Sequence, residues 1–279
     1  MSFSGFPLNP GELADAAHGD VLAQHENILN APIDEIVLDS RKAGEGKVFL
    51  CQVGSSFDAH DYIDNARAQG CRIIIGEDRE KLGSAAERHP DCLIVAVDSA
   101  RTAAQQIAMA MRHKLAIPVI AITGACGKTS TKDLCGGILN ATVPTVVTPV
   151  NNNNLWGVPL TLMELRVHHR AAVIELGTNE PGEVGQLAPI VDPTITFTTS
   201  IGPSHLMNLG DMDGVLAAET EHIEWLLEQQ RRVTYIGNID DPMLRAFYSK
   251  RRRDLVAAGR FVSLSTDPNS GADIRISKI

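Results

Sequence analysis

Aromatic residues make up only 4% of the sequence, and positive charge is not in excess, the formal net charge being -9. Few ring faces are available for base stacking, and a phosphate backbone calls for a clustered basic face, so nucleic acid is excluded as a partner. The same shortage argues against an anionic membrane surface. No apolar run approaches the roughly 20 residues that cross a bilayer, and the N-terminus lacks a basic stretch followed by an apolar one. Membrane insertion is therefore not expected, and the expected location is cytoplasmic. Cysteines are few and scattered: Cys51, Cys71, Cys92, Cys126 and Cys135 form no CxxC pair and have no histidines at zinc spacing. They read as reduced thiols, four in cores and Cys126 in a loop. The one basic cluster, Lys250 to Arg253, reads as a solvated helix end.

What is present describes a globular chain. Hydrophobic residues at 44%, charged residues at 21% and a length of 279 residues fit two domains of ordinary size. Short β-branched runs alternate with helical stretches, the pattern of an α/β fold with largely parallel sheets. In the first third, strands are expected over Glu35–Leu38, Val48–Val53, Cys71–Ile75 and Cys92–Val97, with a helix over Asp61–Gln69. A domain boundary is expected near residue 100, followed by a helix over Thr102–Lys114. The second block reads as strand Val119–Ile122, helix Lys128–Leu139, strand Thr145–Thr148, helix Val158–Leu165, strand Ala172–Leu176, helix Glu183–Ile190 and strand Thr194–Thr199. Then come an acidic helix from about Met212 to Glu228, strand Val233–Ile236, a helix from Pro242 to about Lys250, strand Phe261–Leu264 and a final half-buried run, Asp273–Ile279. An unpaired edge in that last run would favour association.

The segment TGACGKTST, Thr123 to Thr131, follows an apolar strand and opens a helix, the setting a phosphate-binding loop requires. Gly124 and Gly127 let the backbone turn its N–H groups inward, and the helix start presents further donors and a positive dipole end to an anion. Ala125, Cys126 and Ser130 complete the loop, Lys128 would reach the β- and γ-phosphates of ATP, and the Thr129 hydroxyl would bind Mg²⁺. Ile122 stands where the general GxxxxGK[ST] form has its first glycine, so this loop is two residues shorter.

The short TGxxGKT[ST] loop resembles that of the Mur ligases and folylpolyglutamate synthetases. Further fragments, TPVNNNNLWGVPLTLMEL (148–165), AAVIELGTNEPGEVGQLAPIVDPT (171–194), IGPSHLMNLGDMDGV (201–215) and IGNIDDPML (236–244), resemble the MurF branch of the Mur ligases in order and spacing. The stretch beginning DSRKAGEGKVFLCQVGSSFDAHDY resembles that family's UDP-binding domain, which folylpolyglutamate synthetases lack.

The resemblance implies an α/β architecture of a small N-terminal α/β UDP-substrate domain (1–100) followed by a P-loop-type, mostly parallel α/β ATPase domain (101–279). The latter would be incomplete at its C-terminal end, and the family's C-terminal domain would be absent. It implies an ATP-dependent amide ligase of peptidoglycan synthesis, working through an acyl phosphate with ATP and Mg²⁺. Its substrates would be a UDP-muramoyl peptide and D-alanyl-D-alanine or another amine. By residue, Lys128, Glu175 and His205 would be catalytic, with Glu175 and His205 near the metals; Asn238 would contact adenine; Asn153 and Asn154 would lie near the reacting groups. Ser40 and Arg41 would contact UDP, an arginine being suited to a diphosphate.

One departure is chemical. Glu219 falls where the family carries a carbamylated lysine that holds the second metal, and two readings stand: a carboxylate supplied directly as a metal ligand, or one acidic residue among several on a solvated helix. Ala59 for a usual glycine and Ser55 for a usual glutamate leave the UDP substrate open. Two other functions also stand at this stage. One is a non-catalytic nucleotide or UDP-sugar binding module working with a protein partner that supplies the missing domain. The other is a P-loop phosphotransferase with a different acceptor, against which the first domain argues.

Overall fold

The structure is a computed structural model describing residues 5–276. Its chain forms two compact units, one of residues 1–115 and 162–168, the other of 116–161 and 169–279. The first unit contains α1 (Pro10–Ala17), β1 (Asp20–Ala23), β2 (Glu35–Val37), β3 (Lys47–Cys51), α2 (Ile63–Ala68), β4 (Ile73–Gly76), α3 (Arg79–Arg88), β5 (Leu93–Ala96) and α4 (Ala100–Lys114). Its sheet runs β1-β5-β4-β3-β2, with β2 to β5 parallel and β1 added antiparallel at one edge. Every residue of β4 and β5 is buried, as expected of parallel strands covered on both faces. The boundary expected near residue 100 falls at the start of α4, whereas the units divide after Leu115. Ala100, Ala103, Ala104, Ile107, Ala108 and Met111 give α4 its buried stripe, and it packs on α1 within the first unit.

The second unit contains β6 (Val119–Thr123), α5 (Lys128–Asn140), β7 (Thr145–Val147), most of α6 (Gly157–Met163), β8 (Ala171–Glu175), α7 (Glu183–Val191), β9 (Ile195–Thr198), α8 (Leu206–Leu209), α9 (Met212–Glu228), β10 (Val233–Asn238), α10 (Pro242–Ala258), β11 (Gly259–Ser265) and β12 (Ile274–Arg275). Its seven strands run β12-β11-β10-β9-β6-β8-β7 and are all parallel. The chain goes from β6 through β7 and β8 on one side, then crosses to β9 on the other, so the sheet changes winding direction at β6. In open α/β sheets the crevice outside the strand C-termini at such a switch is where ligands bind. Thr123, Glu175 and Thr198 end the three strands that meet there.

Two expectations are corrected. Lys250 to Arg253 is not a helix end: α10 continues to Ala258 because Leu255 is buried, Arg251 pairs with Glu224 at 2.8 Å and Arg252 lies over the Phe261 ring. Nor is Glu219 on a solvated face. The helical stripe Val215, Ala218, Glu219, His222, Ile223 and Leu226 of α9 turns inward, and Glu219 is 1% exposed. The final apolar run becomes β12 at the sheet edge, with Ile274 and Ile276 part-exposed, while Ile279 lies outside the described residues.

Candidate functional site

In the second unit, β6 delivers the chain into a loop whose shape is fixed from behind. Ala125 N donates to Ser200 O at 2.8 Å, and the Thr199 hydroxyl reaches the carbonyls of Cys126 (2.6 Å) and Thr123 (3.1 Å). The Ser200 hydroxyl also donates to Cys126 O at 3.2 Å. Gly124 has φ +121°, a backbone conformation L side chains rarely adopt. Gly127 caps the start of α5, leaving the first-turn N–H groups without helical partners, as an anion site requires. Thr129 and Ser130 lie exposed on that turn, and the Cys126 thiol is exposed in the loop.

Three of the predicted residues come together at this loop. Lys128 Nζ donates to Gly124 O and lies 3.8 Å from Glu219 Oε1; Glu219 Oε2 accepts from Gly124 N at 2.7 Å. The backbone carbonyl of Glu219 also accepts from the Thr123 hydroxyl at 3.0 Å. Burial pushes the Glu219 carboxyl above its ordinary value, against the opposing pull of Lys128, the Gly124 N–H and His205. His205 is therefore within electrostatic reach, at φ +48° on the exposed loop that opens α8. Glu219 is thus bound to the phosphate loop itself, a position that neither sequence reading described.

Glu175 sits at the C-terminal end of β8, 1% exposed. Asn153 Nδ2 donates to its Oε1 at 2.8 Å, and among the described residues Oε2 is buried without a hydrogen-bond partner. A desolvated carboxylate oxygen left unpaired is costly unless a cation or donor meets it, and a hard oxygen of this kind suits Mg²⁺. The donor set fits the metal. Glu175, His205 and Glu219 do not, however, form a ready-made cage: among the described residues no group of three or more His, Cys, Asp or Glu is placed to hold a metal ion.

Other predicted residues have structural work. Asn154 Oδ1 accepts from Trp156 N (3.0 Å) and Gly157 N (2.9 Å), capping the start of α6. Asn238 donates to Thr199 O at 2.7 Å and accepts from Asp240 N at 3.0 Å, so its amide braces the strand end behind the phosphate loop. Asp241 caps α10 and accepts from Ile201 N at 2.8 Å. Sequence reasoning missed Thr199 and Ser200, which look like ordinary strand-end residues, and Lys132, which is 2% exposed.

The first unit carries a cavity of about 560 Å³ whose lining includes Ser40, Arg41, Gln52, Phe57, Tyr62 and Asn65. The Ser40–Lys42 turn is started by Asp39, whose carboxylate takes a bidentate pair from Arg41 at 2.9 and 2.7 Å. Arg41 holds the Asp39 carboxyl down to about 2. Phe57 and Tyr62 expose ring surface beside it, 49% and 44% exposed, and give the cavity flat apolar walls. His60 of the DxH stretch is structural: its Nδ1 meets Asp58 at 2.5 Å and its Nε2 accepts from the backbone N–H groups of Glu77 and Asp78.

Comparison with known proteins gives one family throughout. Residues 122–278 match the Mur ligase middle domain, and residues 32–132 match the model described as the Mur ligase family catalytic domain. The UDP-N-acetylmuramoyl-tripeptide--D-alanyl-D-alanine ligase of Buchnera aphidicola is 35% identical over 75% of this chain and 43% of its own length. Its Escherichia coli counterpart is 31% identical over 78% of this chain and 48% of its own length. A crystal structure of MurF from Acinetobacter baumannii superposes with a TM-score of 0.77 at 32% identity, covering 98% of this chain and 55% of that one. The chain spans less than half the length of these curated relatives.

Proposed function

Because the chain belongs to the Mur ligase family, we propose that it carries the UDP-substrate and nucleotide-binding parts of an ATP-dependent amide ligase of peptidoglycan synthesis. The reaction joins D-alanyl-D-alanine, or a related amine, to the terminal carboxylate of a UDP-muramoyl tripeptide through an acyl phosphate. The observation that carries this reading is the phosphate loop at the sheet's switch point, with Lys128 inside it and the unpaired Glu175 oxygen at the end of the neighbouring strand.

Each residue then has a physical task. The loop N–H groups and the start of α5 receive the phosphates, and Lys128 exchanges its bond to Gly124 O for a phosphate oxygen, neutralising charge where it develops. Thr129 and Glu175 would hold Mg²⁺, which would supply neutralisation of the phosphate charge. Asn153 fixes the Glu175 carboxylate by donating to Oε1, leaving Oε2 unpaired and able to accept a cation. Glu219 keeps Lys128 and the Gly124 N–H oriented, and were a second cation bound, Glu219 and His205 would be the residues to supply ligands to it. Asn238 shapes the nucleotide end by holding the Thr199 carbonyl. The cavity at Ser40 and Arg41 would take the UDP group, Arg41 supplying a planar fork for the diphosphate.

The direct test is incubation with Mg-ATP, UDP-muramoyl tripeptide and D-alanyl-D-alanine, reading the amide product by mass spectrometry. Lys128→Ala is expected to lower product formation by at least about a thousandfold, the scale of losing a phosphate-stabilising cation. Product that persists in the variant would sink the assignment; ATP binding without product would favour the non-catalytic module. A second expectation concerns the first unit. Among the described residues the Arg41 side chain is bonded only by its exposed pair with Asp39, so Arg41→Ala should leave the unfolding temperature unchanged while weakening UDP-sugar binding about tenfold in calorimetry. Unchanged affinity would remove Arg41 from the site.

A further inference from the structure

The helix that follows the phosphate loop buries a second lysine. Lys132 lies one turn beyond Lys128 on α5 and is 2% exposed. Its ammonium donates to Thr148 O at 2.8 Å and Val150 O at 3.1 Å and lies 3.1 Å from Asp133 Oδ1. An ammonium has three donors; two are spent on these carbonyls, and the exposed Asp133 carboxylate lies close enough to balance the charge. The residues it grips form the turn after β7, and that turn in turn grips the end of β8. The Thr148 hydroxyl accepts from Glu175 N at 2.9 Å, Asn153 O accepts from Gly177 N at 2.8 Å, and Asn153 Nδ2 donates to Glu175 Oε1.

We propose that Lys132 is a positioning residue for Glu175: it acts through the Thr148–Asn153 turn to hold the carboxylate where its free oxygen meets a divalent cation. Val150 supplies the independent sign. It has φ +48°, a conformation costly for a β-branched residue, and the residue is 79% exposed, so burial compensates little. What the conformation achieves is a carbonyl turned onto Lys132. The lysine and the strained valine are therefore two halves of one device, and removing the ammonium leaves Val150 with strain and no partner. Mg²⁺ demands near-octahedral geometry, so a small shift of Glu175 falls on the metal before it falls on the phosphates. The inference rests on the reading of Glu175 as a metal ligand given above.

The test uses the full chain and a fluorescent ATP analogue, titrated in EDTA and across a Mg²⁺ series, for the natural sequence, Lys132→Met, Val150→Gly and the double variant, with thermal unfolding of all four. Lys132→Met is expected to leave metal-free ATP affinity within about twofold while raising the Mg²⁺ concentration for half-maximal tightening at least tenfold. Val150→Gly alone should change neither. In the double variant it should bring the Mg²⁺ requirement back to within about threefold, because glycine adopts the φ of this turn without the strain that the ammonium offsets in valine. Equal weakening with and without metal would overturn the proposal. If Lys132→Met does not fold, the double variant decides: folding restored without the Mg²⁺ response overturns it, and both restored supports it. Absence of ATP binding by the natural chain would instead sink the nucleotide reading. Even then, unfolding temperatures in which Val150→Gly offsets none of the Lys132→Met loss would overturn the coupling.

Discussion

Gly124→Ala is expected to abolish ATP binding and to lower stability by about 3 kcal/mol. A methyl group at this position would sit 2.1 Å from Thr199 Oγ1, 2.9 Å from Thr199 N and 3.0 Å from Ser200 N. Two of those contacts are backbone atoms of the segment that braces the loop, so they yield only if the brace moves. The Thr199 hydroxyl would lose its place against Cys126 O, and the Gly124 N–H would turn away from Glu219. Overpacking of this kind costs roughly 1–3 kcal/mol, and a left-handed φ forced on a residue with a Cβ adds about 1 kcal/mol or more. For a unit of this size the unfolding midpoint should fall by roughly 6–12 °C in calorimetry. Gly137→Ala is the internal control: it lies exposed on α5 with no atom within 4 Å of the added methyl, and should be neutral or stabilising by about 0.5–1 kcal/mol. Gly124→Ala binding ATP like the natural chain would disprove the assignment of the loop.

His222→Leu is expected to stabilise the chain and to remove much of its sensitivity to acid. The imidazole is wholly buried on α9, and among the described residues neither ring nitrogen makes a well-formed hydrogen bond. Burial holds its pKa down to about 3, against a smaller opposing pull from the Glu219 backbone. The sign follows from proton counting. Below about pH 6.5 the unfolded chain binds a proton here that the folded chain refuses, so the stability present above 6.5 is lost as pH falls toward 3, at about 1.4 kcal/mol per pH unit. Glu219 and Glu164, whose carboxyls burial raises, act in the opposite sense above about pH 4.5. Asp58 adds acid sensitivity only lower down: desolvation would raise its carboxyl, but hydrogen bonds from Lys81 and His60 hold it at about 2. The observable is therefore the difference between the natural chain and His222→Leu in urea unfolding between pH 7 and 5. That difference should widen by about 2 kcal/mol, on top of roughly 1–3 kcal/mol gained at pH 7 from removing unpaired buried nitrogens. A difference that stays constant across this range would mean the histidine is solvated or charged in the fold.

The parallel sheet of the second unit was legible because its strands are continuous apolar runs bounded by turn residues, and β6, the loop and α5 coincide with what Val119 to Leu139 suggest. Elements that carry little apolar signal were not. β1 is mostly exposed and joins its sheet as an antiparallel edge, and α3 is a polar helix held by Leu82 and Ala85. Glu219 shows the same limit at the site: its place on the inward stripe with Val215, Ala218 and His222 follows the helical period, but its acidic neighbours suggest solvent. Asn153 and Asn154 are alike in sequence and diverge in space, one meeting Glu175 and the other capping α6. Side-chain identity names candidates; the turn they stand on decides which faces the chemistry.

The phosphate loop contains its motif within nine residues, yet what holds it comes from far along the chain. Thr199 and Ser200 lie more than 70 residues downstream, Glu219 lies 95 residues beyond Gly124, and Asn238 braces Thr199 from 39 further on. During synthesis the emerging chain thus possesses the motif long before it possesses a site, and β6 waits for both β8 and β9 before it has neighbours on either side. Such distant pairings carry the largest closure cost, so assembly of the loop is expected late in folding of this unit. On the proposed function, captured nucleotide would report that the whole unit has folded, which would make ATP binding a more exacting assay of the native state than the helical signal in circular dichroism.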